Sequence, residues 1–448
     1  MSEKLTSHQY LSEAKTTIYL AIPIVTAQLG VVLMGVSDNI MIGRMLGKQA
    51  LAASGLAHSI SFLIASIAVG GLAVISPIIA KHKASGDRES FTNTYFASFK
   101  LALWLSILLS AVALLVYIVF EKLDQPAAVS VLAKPFFLII SLAKFPAFFF
   151  IAYKQILDGF SKPEPAMIFT IAGLCLNIIL NYILIKWMGL NGAALSTLLV
   201  RISMLVLMWQ YFKRSKWIMA NILPTYSDLL KIRNEAIRLF RLSIPGGLQF
   251  FFEIGAFSIS LIMMGWISEN ALAAHQIAIN IASTTYMMAS GIAFAGSIRV
   301  GDALGSKAYH RVRLAGNTSL LVTLLFMSLS MIVIVAFKHS LVKLYVDDLS
   351  ILALAESLLV IAAIFQLSDG IQVVGLGNLR GLSDVKIPAY ITFVAYWLIS
   401  IPLGYYLAFF TSLGAKGVWI GLLAGLTAAA IFLTFRFYQQ SKRSVLLA

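Results

Sequence analysis

The chain has 448 residues, 60% of them hydrophobic and only 12% charged, against roughly 25% charged in soluble domains. That composition excludes a soluble enzyme and a disordered chain, and Cys175, the single cysteine, excludes a disulfide-built secreted scaffold. The formal charge of +15 comes from 34 Lys+Arg against 19 Asp+Glu; these charges punctuate long apolar runs, which assigns them to the loops of a polytopic membrane protein with no nucleic-acid partner.

A membrane-crossing helix takes about 20 largely apolar residues. Twelve stretches qualify: 17–42, 50–80, 96–120, 131–153, 165–186, 190–212, 241–266, 272–299, 315–337, 352–376, 387–410 and 414–437. The opening MSEKLTSHQYLSEAKTT is polar and lacks the charged-then-apolar leader and cleavage site of a signal peptide, so the first span is expected to be retained. Runs such as LALWLSILLSAVALLVYIVF do not alternate in polarity as barrel strands do, and a helix satisfies its own backbone in hydrocarbon. The fold class is therefore all-α integral membrane, with twelve transmembrane helices. With the amino terminus inside, 23 loop lysines and arginines fall on the cytoplasmic side and 8 outside. That bias places both termini in the cytoplasm, in a plasma (inner) membrane.

The halves resemble each other at an offset of about 222 residues. Pro23 opens PIVTAQLGVVLMG and Pro245 opens PGGLQFFFEIGAF; ALAASGLAHSIS (50–61) lines up with ALAAHQIAINIAS (271–283). LDGFSKPEPAM (157–167) matches LRGLSDVKIPAY (379–390), and GLNGAALST (189–197) matches GAKGVWIGL (414–422). Six helices per repeat leave both halves in the same orientation, related by a pseudo-two-fold axis along the membrane normal. The expected domains are an amino-terminal bundle over 1–212, a cytoplasmic linker over 213–240, and a carboxy-terminal bundle over 241–448. Within the linker, SDLLKIRNEAIRLF is expected to form an amphipathic surface helix.

The first-span pattern P-x4-Q…DNIMIGR, the loop LDGFSKP, HQIAIN, and QLSDGIQVVGLGNLRG together resemble the multidrug and toxic compound extrusion (MATE) family, in its NorM-like branch. The likeness runs from about residue 15 to 437. It implies a transporter rather than an enzyme, working without a cofactor and as a monomer in the lipid. A Na+ or H+ gradient would drive export of organic cations and amphipathic drugs by alternating access.

An ionisable side chain in hydrocarbon is expensive, so each one asks for a role. Glu253 lies twelve residues beyond Arg241 and Asp369 eleven before Arg380, which puts them roughly 18 and 16 Å deep at a rise of about 1.5 Å per residue. Two carboxylates at matching depth suit a transiently bound Na+ or a shared proton, and Gln249, one turn before Glu253, adds a neutral oxygen. Structural hydrogen bonding is the competing reading for both acids. The resemblance implies that Tyr286 offers an aromatic face to a cationic drug, with Met263, Met264, Met287 and Met288 nearby as adaptable apolar contacts. Asp38 stands in the first span, and its counterpart in the second half is about Ser260. The resemblance implies an amino-lobe role for Asp38 in ion or drug handling, against an interfacial acid near Arg44.

Lys144 and Arg201 are intramembrane cations, and Lys144 occupies a position expected to be neutral in this family. Phe365, one turn before Asp369, replaces a frequent tyrosine. His275, Asn177 and Asn181 are expected to serve helix packing, and Asp158 and Arg380 to be structural or gating positions. No zinc spacing, Walker loop or catalytic triad is present. An alternative function is a flippase for lipid-linked sugars, for which Lys144 and Arg201 would read phosphate; a channel would need a continuous polar pore that the sequence lacks.

Overall fold

Backbone polar groups in hydrocarbon must pair within their own segment, which leaves helices as the elements available to long apolar runs. The structure, a computed structural model, describes residues 6–120, 127–223, 228–346 and 348–446; loop residues 121–126 and linker residues 224–227 lie outside it. Among the described residues twelve helices are long and apolar enough to cross a membrane. They are α1 (Ser7–Leu46), α2 (Lys48–Ser85), α3 (Arg88–Val119), α4 (Val129–Gly159), α5 (Glu164–Met188), α6 (Leu190–Arg214), α7 (Leu229–Ile267), α8 (Glu269–Gly305), α9 (Tyr309–Lys343), α10 (Leu349–Gly381), α11 (Lys386–Phe409) and α12 (Ala415–Lys442). Each expected span falls on one of them.

Proline sets where these helices break. A proline has no N–H for the carbonyl four residues back. Accordingly α2 is interrupted at Ala73 and Val74 ahead of Pro77, and α4 at Ala143 ahead of Pro146. In α11 the stretch Val394–Ser400 winds as a π-helix just before Pro402. Pro23 and Pro245 lie inside unbroken helices.

Packing divides the chain into two compact units, Thr26–Gly247 and Met1–Val25 together with Leu248–Ala448. Both crossings fall two residues beyond a proline, Pro23 in α1 and Pro245 in α7. Compared with the division expected from sequence, residues 1–25 join the carboxy half and 213–247 join the amino half. Hydrophobic periodicity reports that a segment is helical, not which neighbour its apolar face meets.

In the unit Thr26–Gly247, Tyr153 and Phe212 meet edge to face at 4.6 Å, within a core that includes Leu101, Ile156 and Met204. Its last element is the start of α7. There Ile232, Ala236 and Leu239 form the buried stripe of the expected amphipathic helix, and Lys231 Nζ reaches Glu89 Oε1 at 2.7 Å. This helix continues without a break into the seventh span. Gly247 carries no Cβ because one would collide with the carbonyl of Ile67. In the other unit, Arg299 on α8 grips Glu13 on α1 through two bonds, Nε to Oε1 at 2.6 Å and a terminal N–H to Oε2 at 2.8 Å. Helices α11 and α12 touch backbone to backbone, since a Cβ on Gly421 would lie 2.5 Å from Gly404 N.

Candidate functional site

The unit containing Leu248–Ala448 brings Glu253 of α7 and Asp369 of α10 into electrostatic range of each other, with 7% and 4% of their surfaces exposed. Tyr286 of α8 lies within electrostatic range of both Glu253 and Asp369. Gln372, three residues beyond Asp369 on the same helical face, stands beside Glu253 with its amide out of hydrogen-bonding geometry. Trp397, in the π-helical stretch, donates Nε1–H to the Phe252 carbonyl at 3.2 Å and so fixes the backbone next to Glu253. One turn earlier, Gln249 donates Nε2–H to the Val385 carbonyl at 3.0 Å, which leaves its Oε1 free as an acceptor.

Several buried polar atoms here have no protein partner: Asp369 Oδ1, Gln249 Oε1, and both amide atoms of Gln366 and Gln372. Leaving a buried acceptor unpaired costs about 1–3 kcal/mol. Oxygen acceptors concentrated beside two acids are the donor set of a hard monovalent cation, or of a proton on one carboxyl. Among the described residues no group of three or more His, Cys, Asp or Glu could hold a metal ion, so any cation here rests on two carboxylates plus neutral oxygens. Arg380 lies with its guanidinium carbon 5.8 and 5.6 Å from the ring centres of Phe250 and Phe294, within electrostatic range of Glu253. The unit thus sets two buried acids and one buried cation, Arg380, within electrostatic range of one another through Glu253.

Met287 and Tyr286 are half-buried neighbours on α8. Met263 and Met264 are fully packed in the core with Phe365. Phe365 and His275 both lie against Trp419, with ring centres 5.4 and 5.5 Å away, so both serve packing.

The unit Thr26–Gly247 holds a second constellation. Asp38 of α1 is 4% exposed and accepts three bonds: from Asn177 Nδ2 at 3.0 Å, from Asn181, and from Thr197 Oγ1 at 3.4 Å. Asn177 and Asn181 are one turn apart on α5, as are Thr197 and Arg201 on α6, and Arg201 lies in electrostatic range of Asp38. The acid is therefore buried and partnered, not an interfacial companion of Arg44, and the two asparagines serve it directly. Lys154 Nζ binds Asp158 Oδ2 at 2.6 Å one turn along α4, consistent with a structural role for Asp158.

Sequence reasoning singled out Asp38, Glu253, Asp369, Gln249, Tyr286 and Met287, and it missed Thr197, Gln366 and Gln372. Helical spacing was the available signal: Thr197 precedes Arg201 by four residues, and the glutamines flank Asp369 at three residues on either side.

A family model described as MatE matches residues 23–183 and again 245–406, which bears out the internal repeat. The multidrug resistance protein MdtK of Proteus mirabilis (strain HI4320) is 31% identical over 455 aligned residues, covering 98% of this chain and 99% of that protein. MdtK of Yersinia pestis (strain Pestoides F) is 32% identical over 441, covering 96% of each. Among solved structures, the fold is similar to the eukaryotic MATE transporter AtDTX14, with a TM-score of 0.88, 19% identity, and 97% and 99% of the two chains covered. It is also similar to a multidrug resistance MATE family transporter of the MOP superfamily in an outward-facing conformation, with a TM-score of 0.86, 22% identity and 99% of each chain covered.

Proposed function

The chain belongs to the MatE family, and on that premise we propose that it is a secondary active multidrug efflux antiporter, not an enzyme. It exports organic cations and amphipathic drugs in exchange for Na+ or H+, by alternating access and without a cofactor. The observation that carries the ion-coupling half of this reading is the buried pair Glu253 and Asp369 among oxygen acceptors that have no protein partner. Binding of Na+ or a proton there removes a charge that is costly in hydrocarbon. The cation must favour the drug-releasing conformation over the drug-loading one, since a ligand shifts an equilibrium only by its differential affinity. Tyr286 and Met287 offer the drug an aromatic face and an adaptable thioether. Because Tyr286 lies within electrostatic range of both Glu253 and Asp369, drug contact at its ring and ion occupancy at the acids act on neighbouring groups. Asp38 is the amino-bundle partner in ion or drug handling.

The protein resides in the plasma (inner) membrane with both termini cytoplasmic, and works as a monomer. The lipid-linked sugar flippase is disfavoured because Arg201 faces Asp38, which leaves Lys144 as a single unmatched cation where phosphate would call for a cluster.

The test is efflux of an ethidium-like cation from proteoliposomes under an imposed Na+ or H+ gradient. Glu253→Gln and Asp369→Asn should each lose gradient-driven export while still binding drug. Wild-type export by both variants would sink the coupling assignment.

A further inference from the structure

A small cavity lies among α2, α3 and α4 of the unit Thr26–Gly247. Its volume is about 10 Å³, room for one water-sized particle. Four of its lining residues are polar: Ser61 of α2, Ser110 of α3, and Ser141 and Lys144 of α4. Ser61 is 3% exposed, and the Oγ of Ser141 is buried without a hydrogen-bond partner. Lys144 is the first residue of the sixteen-residue half-helix that follows the proline-induced break in α4.

Charge decides what this cavity suits. In the same unit, Arg201 is set against Asp38, but among the described residues no carboxylate comes within ion-pair distance of Lys144; its electrostatic neighbours are Arg201, a like charge, and the imidazole of His58. A cation without a counter-charge is costly at this depth. A water molecule would satisfy hydrogen bonds there without lowering that cost. An ammonium and serine hydroxyls converge on one small space, and both can donate to a negative charge. We propose that this cavity binds a halide-sized monovalent anion, with Lys144 as its counter-charge and Ser61, Ser110 and Ser141 as hydroxyl donors. This site is separate from Glu253 and Asp369, and its test needs no transport.

The test is thermal unfolding of the purified full-length protein in sodium chloride or bromide against sodium gluconate at equal ionic strength. Halide should raise the wild-type Tm saturably, and Lys144→Met should abolish the rise. Ser141→Ala keeps the charge and removes one donor, and should raise the half-saturating halide concentration about tenfold. That second variant also covers the case in which Lys144→Met does not fold. Crystals grown in bromide should show an anomalous peak beside Lys144 Nζ. The proposal falls if wild type unfolds identically in halide and gluconate, if Lys144→Met keeps the full halide effect, if Ser141→Ala leaves half-saturation unchanged, or if the bromide peak lies elsewhere.

Discussion

Asp38→Asn probes what holds the amino-bundle constellation together. Asn177 and Asn181 both donate to Oδ1 of Asp38, and Thr197 donates to Oδ2. An asparagine at 38 keeps an amide oxygen for the first two bonds and presents an NH2 that the Thr197 hydroxyl can accept. The hydrogen-bond loss should therefore stay below about 1 kcal/mol. The charge loss is larger. Arg201 responds to Asp38 electrostatically but forms no direct ion pair with it; beyond contact distance and at an effective dielectric near 20, such an attraction is on the order of 2 kcal/mol. Because Asp38→Asn also relieves the desolvation of a buried carboxylate, this attraction is read from the coupling between Asp38→Asn and Arg201→Met, not from either single variant. The double variant should cost less than the two singles together by about the same coupling energy. Thermal unfolding in detergent reads this directly, with the double variant melting above the value predicted from additive shifts. Strict additivity would refute the claim that Asp38 and Arg201 neutralise each other, and would leave Asp38 as a hydrogen-bonded residue only.

Two further outcomes are expected. Gly421→Ala should destabilise by about 1–3 kcal/mol, because its methyl would lie 2.5 Å from Gly404 N and two backbones must part; an unchanged Tm would show that α11 and α12 can separate freely. Asp87, outside the membrane, caps α3 through the Ser90 N–H at 2.9 Å, and the backbone and hydroxyl bonds from Ser90 hold its carboxyl below the ordinary value. Its charged form is favoured by folding, so its contribution is complete above pH ~4 and is lost as pH falls through the lowered folded value. Asp87→Ala should cost about 1 kcal/mol at neutral pH, and the Tm gap between wild type and Asp87→Asn should close on acidification; a gap that widens below pH 4 would reverse the sign.

Much of this was legible in the sequence because hydrocarbon is a strict solvent. Apolar runs of sufficient length must be helices, and acids inside them stand out, so the twelve spans and Asp38, Glu253 and Asp369 could be read directly. The second layer was not legible. Thr197, Gln366 and Gln372 are ordinary polar residues until a neighbouring helix gives them an acid to face, and one sequence carries no record of interhelical distance. Lys144 was visible as an oddity, but the three serines around its cavity come from three helices with no shared spacing. The π-helical turn that aims Trp397 at Phe252 depends on how Pro402 is accommodated, which propensity does not specify.

The sharing of α1 and α7 between two compact units has a consequence for how the chain is made. Residues 1–25 are synthesised first, yet the unit they complete begins again only at Leu248. Glu13 meets Arg299 across 286 residues of sequence. Thr26–Gly247 closes on one uninterrupted stretch of polypeptide, whereas the other unit closes only when Met1–Val25 meets the chain from Leu248 onward. The amino-terminal half-helix must wait in the translocon or bilayer for a partner not yet translated, while Leu229–Gly247 finishes the unit that preceded it. Assembly is therefore governed by long-range contacts. If the chain were severed between 223 and 228, each fragment would carry a half-helix belonging to the other, so the two pieces would have to be co-expressed to give a folded protein.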